Sequence, residues 1–443
     1  MEKQEMSRTQ KIKSGLKNSL TFKIISIGIL VLILMIPKSM IQGLIYERES
    51  FRAGAVREVS QSWGTHQTIT GPVVTIPYSY WTINDKKEKI AFRYNAYFLP
   101  EELEITGTIE DKIKKRGIFE IILYKSDLKI SGKFKKPDFS KLHIDDKDVH
   151  WDEAKISIGI TGMQGIKNSM ALDWNDKKLN MEPGTNAQKL LKSGVSAAVD
   201  FDKAGDYLFA VPIKLNGSEL IQFEPVGKIT KVNLSSKWKS PSFFGNFLPE
   251  TDKTTVSDEG FDASWQVLDL NRSYPQQWKN DVHQFGQSVF GVRLIQPIDE
   301  YAKNSRSAKY ALLVIGLTFL IYFFFETLKR VDIHPFQYLL IGLALSIFYL
   351  LLLSLSEQIG FNHAYLVASI ATVGLITIYS SGFLKNNALS IQLGLLLSVI
   401  YGFIFVVLQS EDFALLAGTV GIFIALAAVM FYSRKVNWYA LGE

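Results

Sequence analysis

The chain contains no cysteine among its 443 residues. Disulfides, thiolate metal sites and a cysteine nucleophile are therefore excluded. The sequence also lacks a phosphate-binding loop, a GxSxG elbow and the HExxH zinc motif, which mark common enzyme classes. Its formal net charge is +6, from 49 basic and 43 acidic residues that form no long basic tract, and this balance argues against a nucleic-acid partner. We therefore expect no catalytic residue, no cofactor and no metal.

A charged region ends near residue 308, and long apolar segments fill the part of the chain that follows. About 20 apolar residues cross the hydrocarbon core of a bilayer as a helix. Five such helices are predicted within 309–432, at about 310–327, 335–356, 363–384, 387–409 and 412–432. A sixth, at 22–45, is interpreted as an uncleaved signal anchor, because it is long and no small-residue cleavage site follows it.

The short connections between these segments differ in charge, and this difference predicts the orientation. By the positive-inside rule, the basic N-terminus 1–21 and the tail 433–443 are expected in the cytoplasm. The cations expected inside are Lys3, Arg8, Lys11, Lys13, Lys17, Lys329, Arg330, Lys385, Arg434 and Lys435, whereas the acids expected outside are Glu357, Glu411 and Asp412. The region 46–308 is then predicted to lie on the extracytoplasmic side, and the lipid bilayer is an expected partner.

The extracytoplasmic region has a different pattern from the spans. Residues 46–63 predict a helical stalk, and the following residues predict an antiparallel β domain because short apolar and alternating runs are separated by turn residues. The predicted strands are 73–83, 90–98, 119–124, 128–134, 154–160, 207–215, 229–234 and 262–267. The sequence NDKK, at 84–87 and 175–178, predicts two hairpin turns. Short helices are predicted at 186–194 and 274–289.

The fold class is thus a polytopic α-helical membrane protein with six spans and an inserted, mainly antiparallel β domain. Four polar residues at the predicted membrane interfaces are candidate functional positions: Glu326, His334, Gln337 and Glu357. For Glu357 a solvated helix end is favoured over an ion or proton site. For Glu326 a pair with Lys329 or Arg330 on the same helix is the simplest expectation.

Three patterns in the β region resemble binding sites. HIDDKDVH at 143–150 is compatible with a metal site, but a solvated turn is the favoured interpretation. DFDKAGDYLFAV at 200–211 begins like a calcium loop, yet its twelfth position is Val211 where a bidentate Glu is required. Five tryptophans are candidates for a ligand groove, with core packing favoured: Trp81, Trp151, Trp174, Trp238 and Trp265.

Several strings, in order along the chain from about residue 22, resemble the inner-membrane CreD family of cell envelope integrity proteins. They are GPVVTIPY (71–78), FLPEEL (98–103), PSFFGNFLPE (241–250), EGFDASWQV (259–267), RSAKYALLVIGLTFLIYFFFETL (306–328), HPFQYLLIGLALSIFYLLLLSLSEQIGF (334–361) and NWYAL (437–441). The resemblance implies an inner-membrane protein linked to envelope maintenance, a two-component response and altered susceptibility to colicins and β-lactams. It supplies no catalytic residues.

Three functions remain open from the sequence. A non-enzymatic protein of envelope integrity or stress tolerance, which binds an envelope protein or lipid through its β domain, is favoured. A transporter or lipid-handling protein is the alternative, since five clustered helices exceed what tethering needs. A sensor that signals inward is the third. The mechanism, the ligand, the oligomeric state and the role of the basic N-terminus are not determined by the sequence.

Overall fold

The computed structural model describes residues 20–202, 205–280, 282–295, 300–329, 331–384, 386–410 and 414–434. These residues form two compact units, one containing Met1–Phe51 and Ile298–Glu443 and the other Arg52–Pro297. The helices are α1 (Leu20–Trp63), α2 (Glu300–Lys309), α3 (Ala311–Lys329), α4 (Pro335–Ile359), α5 (Phe361–Leu384), α6 (Asn387–Gln409) and α7 (Ala414–Ser433).

Six of these helices, all except α2, are long and apolar enough to cross a membrane. The predicted fold class is therefore confirmed. Helix α1 continues without a break to Trp63, through the residues of the predicted stalk. The short helix α2 is a structural element that the sequence reading missed. Its Tyr301, Asn304, Ser307 and Ala308 recur at helical spacing and are buried.

The β domain contains seventeen strands among the described residues. They are β1 (Gln67–Ile83), β2 (Lys89–Phe98), β3 (Glu102–Arg116), β4 (Phe119–Lys135), β5 (Lys155–Ile160), β6 (Ala171–Trp174), β7 (Lys177–Asn180), β8 (Glu182–Pro183), β9 (Gly194–Ala198), β10 (Asp206–Ser218), β11 (Leu220–Glu224), β12 (Ile229–Ser236), β13 (Pro241–Gly245), β14 (Thr255–Ser257), β15 (Gly260–Leu268), β16 (Gln277–Lys279) and β17 (Phe290–Leu294).

Two sheets contain these strands. One follows the order β13-β17-β11-β1-β5-β9-β8, with β2 on β1 and β16 on β2, and the other follows β14-β15-β12-β3-β4-β10-β6-β7. Pairing is antiparallel except between β1 and β11 and between β12 and β3. One continuous apolar core takes side chains from both sheets, so the two sheets stabilise each other by burying their inner faces.

Both NDKK segments form the predicted hairpin turns, between β1 and β2 and between β6 and β7. The prediction of two strands at 119–124 and 128–134 is wrong, because β4 runs unbroken through the intervening polar residues. Ser126 is buried there, and its hydroxyl donates to the Leu215 carbonyl at 3.0 Å. A polar residue with a cross-strand partner does not interrupt a strand. The strand β3 was missed, although Leu103, Ile105 and Ile109 alternate in its first half and are buried; its second half is exposed and mostly charged.

Both helices predicted in this domain are absent from the described residues. In 186–194 the backbone makes one turn, with Leu190 and Leu191 amides donating to the Ala187 carbonyl at 2.8 and 2.7 Å, before β9 begins. The Thr185 hydroxyl donates to the Leu191 carbonyl at 2.7 Å and fixes that turn. In 274–289 the segment instead pairs as β16 with β2, since Trp278 lies opposite Tyr97.

Candidate functional site

The two carboxylates of α3–α7 lie near opposite ends of the helix bundle. Glu326 contacts Tyr338 near the start of α4, whereas Glu357 lies near the end of α4. Nineteen residues of helix separate Tyr338 from Glu357, which is about 29 Å at 1.5 Å per residue. That length is close to the ~30 Å hydrocarbon thickness of a bilayer, so each carboxylate belongs to one interfacial end of the bundle.

Glu357 forms a two-pronged ion pair with α1. Arg48 Nε and Nη2 donate to its Oε1 and Oε2 at 2.9 and 2.8 Å, and the Tyr301 hydroxyl of α2 donates to Oε1 at 2.9 Å. The Glu357 side chain is only 8% exposed. The expectation of a solvated helix end is therefore wrong. The fork geometry of guanidinium on carboxylate replaces the water that this group loses on burial.

Glu326 makes a similar contact at the other end. Its Oε1 lies 2.8 Å from Lys23 Nζ of α1, and its Oε2 accepts from the Tyr338 hydroxyl at 3.1 Å. The Glu326 side chain is 6% exposed. The expected pair with Lys329 or Arg330 is not formed by Lys329, and Arg330 lies outside the described residues. The partner comes from another helix, which no spacing rule within α3 could indicate.

His334 and Gln337 form the N-terminal cap of α4. The His334 Nδ1 accepts from the Phe336 amide at 3.2 Å, and the His334 amide donates to Gln337 Oε1 at 2.9 Å. Pro335 occupies the first turn, where the missing amide costs nothing. These two candidates satisfy backbone groups that a helix start leaves unpaired.

A cleft of about 560 Å³ opens beside this cap. Its polar lining residues are Lys23, Ser26, Glu326, Asp332, His334, Gln337 and Tyr338. Three of the four candidates thus meet in one place, and Glu357 is at the other end of the bundle. The cleft offers one buried carboxylate that is already matched by a cation and a phenol. Its carboxylate is therefore not an uncompensated charge.

Lys38 is a further cation within the spanning part of α1. Its ammonium donates to Gln42 Oε1 at 2.9 Å, one helical turn closer to the Arg48 end. A long lysine side chain that reaches toward an interface avoids burying its charge in hydrocarbon. This contact therefore explains how a lysine is tolerated in the span.

The metal-like pattern at 143–150 has a different role. Asp146 Oδ1 accepts from the Trp151 indole at 3.0 Å, and Asp148 Oδ1 accepts from the Trp81 indole at 2.9 Å. His150 Nε2 lies 2.9 Å from Ser79 Oγ. Among the described residues, no group of three or more His, Asp or Glu is arranged to hold a metal ion. The segment 143–150 therefore packs along the edge of β1.

The five tryptophans do not line one groove. Trp174 and Trp265 are 1% and 2% exposed and fill the core, as the favoured interpretation held. Trp151 and Trp238 pack partly buried against the same core. Trp81 is 44% exposed, with the Lys89 ammonium 4.7 Å from its ring.

Trp81 belongs to an exposed aromatic ribbon, defined here as Tyr78–Ile83 of β1 and Lys89–Tyr94 of β2. Tyr80, Phe92 and Tyr94 share one face of it and are 55%, 46% and 41% exposed. The alternation of β2 predicted a strand correctly, but this end of the strand has no buried face. A two-stranded ribbon with exposed aromatic side chains is only marginally stable by itself.

The β2 edge of the ribbon is also open, whereas the β1 edge is covered near Tyr78, which forms a backbone bridge with Val149. The β1–β5 ladder ends at Thr75, and the β16–β2 ladder ends at Ala96. Among the described residues, no named strand pairs with the outer edge of Lys89–Tyr94. Unpaired amides and carbonyls beside exposed rings are the features that an added strand recognises.

A buried carboxylate in the β domain was not anticipated. Glu224 is 1% exposed, and it accepts from the Tyr274 hydroxyl at 2.9 Å and from the Gly286 amide at 2.8 Å. Burial raises the pKa of Glu224, although these hydrogen bonds oppose that effect. Burial likewise lowers the pKa of Arg272, which stacks 4.3 Å from the Tyr274 ring. This network closes the loop before β17 over the end of β11.

Comparisons with known proteins agree with the architecture. The sequence profile of the family described as "Inner membrane protein CreD" matches residues 19–439. The Inner membrane protein CreD of Escherichia coli (strain K12) is 33% identical over 437 residues, which cover 96% of this chain and 95% of that protein. A match of this extent includes the membrane helices and the β domain. The chain is therefore a multi-pass inner-membrane protein and belongs to the CreD family.

Proposed function

We propose that this chain is a non-enzymatic envelope protein that holds its β domain on the periplasmic side and docks an extended strand of an envelope protein there. This role would contribute to cell envelope integrity or stress tolerance. Family membership supports the envelope, and the distribution of basic residues in the short loops supports the orientation.

The observation that carries the proposal is the exposed aromatic ribbon. Its rings would pack against alternate side chains of an added strand, and its open edge on β2 would supply main-chain hydrogen bonds. Docking of this kind needs no catalytic group.

The ion pairs of the bundle support an anchoring role over ion coupling. A carboxylate that carries a proton or ion must change its charge during the cycle. Glu326 and Glu357 are each paired with a cation of α1 and with a tyrosine hydroxyl. Neutralising either carboxylate would leave a cation without its partner. Both ion pairs therefore support the role of holding α1 in the bundle.

The test replaces Tyr80, Phe92 and Tyr94 with Ser in the full-length protein. We expect the variant to accumulate in the membrane but to fail to restore detergent resistance and low permeability to a deletion strain. The matched control replaces Leu248 and Leu270, which are 72% and 88% exposed, with Ser. Equal complementation by both variants would refute the ribbon as the docking surface, and an unaltered deletion strain would refute the envelope role itself.

The orientation has its own test, because the chain has no cysteine to remove. Single cysteines at Asp85 and at Lys385, which lies outside the described residues, are treated in intact cells with a maleimide that cannot cross the inner membrane. We expect labelling at position 85 alone until the cells are lysed. The opposite pattern would place the β domain in the cytoplasm and contradict the proposal.

A second candidate function, lipid handling, is favoured by the cleft beside Glu326. Its mixture of charged and hydrogen-bonding groups at one end of the bundle suits a polar headgroup. The double variant Glu326→Gln and Glu357→Gln tests whether a carboxylate takes part. Intact envelope function in a stably folded variant would exclude a carboxylate-coupled transport cycle.

A further inference from the structure

A cleft of about 600 Å³, which we call the outer cleft, lies on the outer face of the sheet where β3, β4 and β10 run side by side. Neighbouring residues of a strand point to opposite faces of the sheet, so the outer face carries every second cross-strand row. Trp63 and Lys167 also line the cleft. The two rows on its floor are Thr108–Asp127–Lys214 and Glu110–Lys125–Asn216.

Asn216 supplies a buried amide to the outer cleft. The residue is 4% exposed, and strand alternation places its side chain on the same face as that of Lys214. Its backbone carbonyl accepts from Gln67 Nε2 at 2.8 Å, but its side-chain amide has no hydrogen-bond partner in the part of the chain that the structure describes. Burying an amide without a partner costs free energy, so a bound molecule is expected to satisfy this group.

Positive charge exceeds negative charge in the outer cleft, with three lysines against two acids. Lys214 Nζ lies 3.5 Å from Asp127 Oδ2, so these two charges offset each other. Lys125 and Lys167 are exposed, and neither forms an ion pair with a described carboxylate. The cleft therefore has two cations available for an anionic group.

The hydrogen-bonding groups of the outer cleft are mixed in kind. The Asn216 amide and the Thr108 hydroxyl can each donate and accept, whereas the Glu110 carboxylate only accepts. A bare oxyanion also only accepts, so it would match the lysines and leave Glu110 without a donor. Sugar hydroxyls donate and accept, and the half-buried Trp63 indole offers an apolar wall to the C–H groups of a sugar ring.

An added protein strand fits the outer cleft less well than a small molecule does. The edge of β10 is already covered here, because the Lys167 amide donates to the Lys214 carbonyl at 3.0 Å and the Lys214 amide donates to Asn168 Oδ1 at 2.9 Å. Strand addition needs unpaired amides and carbonyls at such an edge. The cleft volume lies within the range of about 300–1,000 Å³ that is typical of small-molecule sites.

We propose that the outer cleft binds a saccharide that carries a carboxylate or phosphate group. Lys125 and Lys167 contact the anionic group. Asn216 and Glu110 form hydrogen bonds with the sugar hydroxyls, and Trp63 packs against the ring. This site is separate from the aromatic ribbon, so its test is independent of the docking of a strand.

The test titrates the full-length protein in detergent with three matched saccharides, observed by saturation-transfer NMR. They are N-acetylglucosamine, N-acetylmuramic acid, which adds a carboxylate, and N-acetylglucosamine 6-phosphate. We expect an acidic form to bind about fivefold tighter than the neutral sugar, because exposed cations gain a partner. The tighter of the two acids identifies the anionic group. Absence of binding by both acids at millimolar concentration overturns the proposal.

Two variants separate the roles within the outer cleft. Lys125→Gln combined with Lys167→Gln should remove the preference for the acidic sugars and leave the neutral sugar unaffected. Asn216→Ala should weaken all three saccharides by about three- to tenfold. Because the amide has no partner within the described chain, Asn216→Ala should keep the melting temperature of the wild type, whereas a purely structural residue would lower it.

The matched control replaces two exposed lysines on other strands, Lys178→Gln and Lys231→Gln, and should bind as the wild type does. Size-exclusion profiles confirm that every variant stays folded. Equal loss in the control variant overturns the proposal. A triglutamate peptide that binds as tightly as the acidic sugars indicates a site for any anion and also overturns it.

Discussion

Breaking the Arg48–Glu357 pair should destabilise the bundle asymmetrically. The carboxylate is 8% exposed, whereas the guanidinium is 37% exposed. In Arg48→Ala, Glu357 stays buried with the Tyr301 hydroxyl as its remaining donor, so we expect a loss near the lower end of the 3–5 kcal/mol range for an orphaned buried charge, about 3 kcal/mol. In Glu357→Ala the arginine can regain water, and the expected loss is about 2 kcal/mol.

The double variant should lose about 3 kcal/mol of unfolding free energy, because the first substitution has already broken the ion pair that the second would remove. The coupling energy is then about 2 kcal/mol, which lies above the 0.2–1 kcal/mol typical of exposed pairs. The measurement is the free energy of unfolding of the purified protein, from titration with SDS in a mild detergent.

The second ion pair provides the control for this cycle. Lys23 precedes Arg48 by 25 residues on α1, about 38 Å of helix, so Lys23→Ala combined with Glu357→Ala should be additive within about 0.5 kcal/mol. A coupling below about 0.5 kcal/mol between Arg48 and Glu357, or an Arg48→Ala loss smaller than that of Glu357→Ala, would refute the reasoning from burial.

Three further outcomes are expected in the same preparation. Burial raises the pKa of Glu224, so its contribution to stability is full below about pH 4.5 and is lost as the pH rises through the folded pKa. Glu224→Gln should therefore have a higher melting temperature than wild type between pH 5 and pH 8. Glu219, whose pKa is lowered by its hydrogen bond to a histidine, should show the opposite sign: the cost of Glu219→Gln is present above about pH 4.5 and vanishes as the pH falls through the folded pKa. In the bundle, Gly342→Ala would place a Cβ 2.1 Å from Leu34 Cδ1 and should lower the free energy of unfolding by about 1–3 kcal/mol. Adding Leu34→Ala should restore part of that loss. The control Gly402→Ala meets no atom within 4 Å and should not destabilise the protein.

The membrane-spanning helices were accessible from the sequence because they depend on local composition. A run of apolar residues needs no tertiary partner to be recognised, and the α4 start at Pro335 agrees with its sequence signal. The hairpin turns were accessible for the same reason, since Asn and Asp favour turns, although at the first turn the left-handed conformation is taken by Lys87, with a φ of 60°. Asn175 has a φ of 51° at the second NDKK turn.

The polar contacts were not accessible, because their partners are distant in sequence. Arg48 and Glu357 are separated by 309 residues. A rule for neighbours on one helix proposes Lys329 for Glu326, yet the structure places Lys23 there. The strand β3 is a different case: Leu103, Ile105 and Ile109 alternate in its first half, and only its second half, which is exposed and mostly charged, shows no apolar alternation.

The continuity of α1 has a consequence for how the protein is made. At a synthesis rate of roughly 5–20 residues per second, the ribosome needs about 15–60 s to proceed from Arg48 to Glu357. Every described strand lies between Gln67 and Leu294, so both sheets can close before α3 is translated. During this interval the first helix crosses the bilayer without its later partners. Lys23 and Arg48 lie near the two ends of its span, where water can solvate them. The first helix can therefore stay in the bilayer until α3 and α4 are inserted and their carboxylates pair with these cations.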